Sequence, residues 1–148
     1  MVAPIFIVVI YATVQCAIIY ICNAYLETAT EETARTVLTD QATTMTAAQF
    51  KTAVCNNMPA LFNCSGVMVG LQPATSATSI STAAPTFNSN GTLANSMPYQ
   101  QPAQGQIGVL QVVYQWPVLG LPLGWNFANL GNGTYLMMST QVFKVETQ

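Results

Sequence analysis

Residues 2–24, VAPIFIVVIYATVQCAIIYICNA, carry no charged side chain, and Gln15 is their only strongly polar one before Asn23. As a helix rising about 1.5 Å per residue the run reaches about 34 Å, enough to cross a hydrocarbon core of about 30 Å. The helical pattern continues past it. Residues 25–40 contain neither Gly nor Pro, with Glu27, Glu31 and Arg35 at four-residue spacing on one face and Leu26, Ala29, Thr33 and Val37 on another. The chain is therefore expected to open with one helix of about 40 residues, apolar all round in its first half and amphipathic in its second. Pro4 falls in the first turn, where a missing N–H costs little. No basic segment precedes the run and no small-residue cleavage site follows it, so the helix is expected to stay in the mature protein.

A chain of 148 residues leaves room for one modest domain beyond that helix. The expected division is a helix over residues 1–45 and a globular head over 46–148. Three basic and five acidic side chains offer no stripe for phosphates, which argues against a nucleic-acid partner. So few charges among many Thr, Ser, Asn and Gln suit an exported protein whose surface is covered by copies of itself. Histidine is absent, which removes the commonest general base and metal ligand. Cys16 and Cys22 are six residues apart in the apolar helix, too far for a bond within it, and read as small packing residues. Cys55 and Cys64 flank NNMPALFN and read as a disulfide, which persists only in oxidising compartments.

Along the head, Thr46 is expected to cap a short helix ending near Cys55, with Phe50, Val54 and Ala47 on its buried side. Asn56, Asn57 and Pro59 end it. Residues 65–71, SGVMVGL, alternate as a short strand that Pro73 is expected to stop. Residues 74–106 form a long Ser-, Thr- and Pro-bearing loop, read as a functional or flexible surface. In IGVLQVVYQWP, Leu110, Val112, Tyr114 and Trp116 take one face while Ile107, Val109 and Val113 share the other with Gln111 and Gln115. Both faces are partly apolar, so this strand should be central, with residues 135–146 returning beside it. The fold class is α+β: a long N-terminal helix, a short helix and a small antiparallel sheet.

Little catalytic chemistry can be assembled from these residues. Adjacent Glu31 and Glu32 point about 100° apart on a helix, a poor geometry for paired carboxylates. Arg35, three and four residues on, is their expected partner, and Glu27, Glu31, Glu32 and Arg35 are also possible charge contacts between subunits. Asn63-Cys-Ser65, Asn90-Gly-Thr92 and Asn132-Gly-Thr134 fit the N-glycosylation pattern, but turns are the favoured reading. Tyr114 and Trp116 lie in register with a core strand, whereas Trp125 and Phe127 fall in a loop as a cap or an interface patch.

VAPIF opening an apolar helix, the extension ETATEETART, the CNNMPALFNC loop, VVYQWP followed by VLGLPLGW, and the C-terminal STQVFKVE together resemble the TadE-like pilins, the pseudopilin or minor-pilin components of tight-adherence (Flp-type IV) pilus systems. The resemblance runs nearly end to end and is weakest over residues 74–106. Such prepilins carry a basic leader ending in Gly and a Glu at the fifth mature position, neither of which precedes Val2. Either the reading frame upstream encodes both, as the resemblance implies, or this copy lacks the Glu that the family uses during assembly.

The residues and the resemblance point to a structural role without catalysis or cofactor. A helix apolar on every side must be buried in lipid or in other helices. The expectation is a subunit held in the inner membrane, then polymerised by the pilus assembly machinery with copies of itself or other pilins into an extracellular adhesive filament. Ile5, Phe6, Val9, Ile10, Val14, Ile18 and Ile19 would form the filament core, and Gln15 would find its partner in a neighbouring helix or a carbonyl. The competing expectation is a minor pseudopilin or binding module that stays membrane-anchored and presents residues 74–106, or Trp125 and Phe127.

Overall fold

Helix α1 runs Ala3–Leu38 unbroken in a computed structural model that describes residues 3–38, 45–76, 78, 80–118, 120 and 126–146. The expected end of the helix at Asp40 lies outside the described residues. Along α1, Gln15, Ile19, Cys22, Leu26, Ala29, Thr30, Thr33, Ala34 and Val37 are buried, one stripe of three- and four-residue steps widened by the neighbours 29/30 and 33/34. Two mid-helix threonines sit in that stripe without leaving a polar group unmatched. The hydroxyl of Thr30 donates to Leu26 O at 2.6 Å and that of Thr33 to Ala29 O at 2.7 Å.

Helix α2, Ala47–Asn56, starts at Thr46 in a capping box: the Thr46 hydroxyl accepts from Gln49 N–H, and Gln49 Oε1 accepts from Thr46 N–H at 2.9 Å. Phe50 and Val54 are fully buried as expected, whereas Ala47 is exposed. A disulfide joins Cys55 to Cys64, with the Cα atoms 5.7 Å apart, and a turn of 3₁₀ helix, Cys64–Gly66, leads into the sheet.

The sheet has three antiparallel strands in the order β1 (Val67–Ala74), β2 (Ile107–Pro117) and β3 (Thr134–Lys144). The central place of β2 matches the two-sided apolar pattern of its sequence. β1 differs from expectation at both ends: it starts at Val67 rather than residue 65, and it runs through Pro73 to Ala74. The reason is its edge position. Leu71 N–H donates to Pro98 O, so the backbone groups of residues 69, 71 and 73 point away from β2, where a missing N–H breaks no rung.

One face of the sheet presents Val67, Leu71, Leu110, Val112, Tyr114 and Met137, and these join Phe50, Val54 and the α1 stripe in the main core. Much of the long loop covers the opposite face, while its Tyr99 and Pro102 pack on the helix side, against Phe50 and beside Gly108. On the opposite face Gln111 Nε2 donates to Ala83 O at 3.2 Å and Gln115 Nε2 to Gly91 O at 2.6 Å, over buried Val109 and Val113. The order of layers is helices, sheet, long loop.

Candidate functional site: the uncovered helix

The buried stripe of α1 extends from Gln15 to Val37, about 33 Å at 1.5 Å per residue, and the 11 residues of β3 span about as much. The head thus covers the helix for the length of its own sheet and no further. The helix core is continuous with the head core, so the chain division expected at residue 45 does not divide the packing.

N-terminal to Gln15 most large apolar side chains face outward, with Val8 and Tyr11 half-buried. Ile5, Phe6, Val9, Ile10 and Val14 are exposed, Phe6 at 64 %, and Ile18 is exposed on the outer side of the covered part. Ile19 is different. It is 9 % exposed and belongs to the head core, so the side of the helix that it occupies is already taken. Gln15 also turns toward the head, and its Nε2 donates to Tyr11 Oη, one turn earlier in the same helix, at 2.9 Å. Cys16 is exposed and Cys22 is buried.

Ile7, Tyr20, Ile21 and Tyr25 add to the open surface. Together the exposed large side chains of α1 leave on the order of 1,000 Å² of apolar area uncovered, above the few hundred Å² usual for a soluble monomer. At about 25 cal/mol per Å² its removal from water is worth roughly 25 kcal/mol as an upper figure. α1 is long and apolar enough to cross a membrane.

Further along α1, Glu27, Glu31, Glu32 and Arg35 are all exposed. Arg35 Nη2 lies 3.7 Å from Glu31 Oε1, an i,i+4 pair in solvent, worth a few tenths of a kcal/mol at most. Among the described residues no three His, Cys, Asp or Glu side chains gather as metal ligands.

Tyr114 and Trp116, in register on β2 as expected, pack against Phe62 with ring centroids 5.0 and 6.0 Å away, and Tyr114 Oη accepts from Asn63 N–H at 3.2 Å. They form the core beneath the disulfide loop. Phe127 is partly buried against the same cluster. Trp125 lies outside the described residues.

All three Asn-x-Ser/Thr motifs are side-chain-capped turns. In each, Asn Oδ1 accepts from the backbone N–H and the hydroxyl two residues on: Ser65, Thr92 and Thr134, the hydroxyls at 2.8, 2.7 and 2.6 Å. Gly91 and Gly133 supply the positive φ that two of these turns need. Gln115 ties those two together, its Oε1 accepting from Asn132 Nδ2 while its Nε2 donates to Gly91 O. Sequence reading missed that cross-link, because Gln115 alone carries no sign of where it points.

Between the long loop and the sheet lies a cavity of about 260 Å³ with a mixed lining that includes Gln72, Ala83, Pro85, Asn95, Met97 and Gln111. No family model, no curated protein and no solved structure matches this chain.

Proposed function

We propose that this chain is a structural subunit of a surface filament, a TadE-like pilin of the tight-adherence kind, held in the inner membrane by α1 and polymerised through the same helix for adhesion. The observation that carries the reading is the apolar, uncovered sleeve of α1 over residues 3–14, set beside a head that uses only one stripe of the remainder. Lipid covers such a sleeve before assembly, and neighbouring helices cover it afterwards. Contacts between different patches of identical subunits propagate without closing, which is how a filament grows. The exposed surface, poor in charge, suits close repetition.

Fractionation tests it: the protein should be found in membranes and in sheared extracellular filaments. Ile10→Lys puts an unpaired charge in the sleeve and should remove the chain from filaments while the head stays folded.

A second reading, a membrane-anchored minor pseudopilin or binding module, draws on the cavity of mixed lining between the long loop and the sheet, beside Gln72, Asn95 and Gln111. Retention in membranes with none in filaments would favour it.

A further inference from the structure

With so few charges on the chain, an unpaired one is informative. Among the described residues Arg35 and Glu31 form an ion pair, while Glu27, Glu32 and Lys51 form none. The Lys51 ammonium instead donates to the Ser65 carbonyl at 3.3 Å. Lys51 stands at the rim of a groove of about 340 Å³ between α2, β1 and the long loop. Val67, fully buried, is at its floor, with Val69, Leu93 and Met97 around it and Ala48 at the α2 side. The groove is therefore apolar with one cation at its edge.

α1 carries the complementary shape. Ile21, Tyr25, Thr28 and Glu32 follow one another in steps of four, three and four, and all four are exposed. Each precedes by one residue a member of the buried stripe, Cys22, Leu26, Ala29 and Thr33. The ridge is thus turned about 100° from its own head, as one residue of helix requires. It combines two apolar side chains with a carboxylate about two turns beyond Tyr25 and three beyond Ile21.

We infer that this ridge of one copy seats in the groove of the next, with Ile21 and Tyr25 on the apolar floor and Glu32 on Lys51. An amphipathic helix laid into a groove by anchors at i, i+4 and i+7 is a recurrent mode of recognition. The Lys51 stem adds apolar cover while its ammonium meets the carboxylate. Ridge and groove are different surfaces of one chain, so each copy can use both at once and the contact extends as an open series. This contact rests on the filament reading and adds to it a second, head-level attachment beside the sleeve.

Charge reversal in the full chain, in cells that assemble it, is the test. Lys51→Glu and Glu32→Lys should each lower filament yield by about tenfold or more, since each sets like charges face to face. The double variant should recover most of the wild-type yield, which a folding defect would not allow. Lys144→Glu, away from the groove, should leave the yield unchanged. In a Cys16→Ala background, Thr28→Cys with Ala48→Cys should give an oxidative ladder beyond the dimer. Filaments from the wild type with no recovery in the double variant would overturn this contact and leave the filament reading standing. Recovery by Glu27→Lys or Glu146→Lys in place of Glu32→Lys would overturn it too, by giving the groove to another acid. A wild type found in no filament would remove the filament reading and this contact with it.

Discussion

Two parts of one helix behave differently although the sequence runs through them without a break. Over residues 3–14 of α1 the apolar side chains face out on nearly every side, while from Gln15 to Val37 one stripe is taken by the head. Residues 15–24 belong to both patterns: they are as apolar as what precedes them, yet Ile19 and Cys22 are core. The lesson is that apolar character alone does not assign a residue to a membrane, a filament or a head. What decides is whether a covering surface from the same chain reaches it.

The sharpest way to break the comparison is truncation. A chain starting at Ala12 should keep the head folded, because the head-facing stripe begins at Gln15. One starting at Thr28 lacks Ile19, Cys22 and Leu26; each such side chain is worth about 1.5–3 kcal/mol of burial, so their loss should consume most of a stability of about 5–15 kcal/mol. Urea unfolding of the two truncations compares them directly, and equal midpoints would mean that the covered stripe does not hold the head.

Single substitutions sharpen the same contrast. Leu26→Ala should cost about 2–5 kcal/mol in head stability, whereas Phe6→Ala should change it by less than about 0.5 kcal/mol. Chemical denaturation in mild detergent reads both. If the two lost the same amount, the boundary at Gln15 would be misplaced.

Away from α1, replacing Cys55 and Cys64 by Ser should cost about 2–3 kcal/mol, the value for releasing a short closed loop. Thermal unfolding with and without reductant checks it, and wild-type Tm should fall on reduction to that of the variant. The smallest effect is expected at Arg35→Ala, below about 0.5 kcal/mol, since its pairing with Glu31 is exposed to solvent. A double-mutant cycle with Glu31→Ala measures the pair, and a coupling above about 1 kcal/mol would show that the charges meet something more than water.

Local rules were enough for several elements. Freedom from Gly and interior Pro made α1 continuous, Thr46 announced the start of α2, and alternation on two apolar faces placed β2 at the centre of the sheet. The spacing of Leu26, Ala29, Thr33 and Val37 named the covered face of the amphipathic half, and the short separation of Cys55 and Cys64 suggested their bond. In each case the information sits within one or two turns of the chain, or in a pattern of period 2 or 3.6.

Tertiary structure alone decided where the head's cover begins and that Ile19 is turned in while Ile18 is turned out. A run that is apolar on all sides has no sidedness to read, so the length and position of the sheet choose the stripe. The same holds for Pro73, which ends a central strand but not an edge strand, and for residues 74–106, whose role as the second cover depends on contacts with Gln111 and Gln115 far along the chain. These outcomes rest on pairings between distant segments, which no local period encodes.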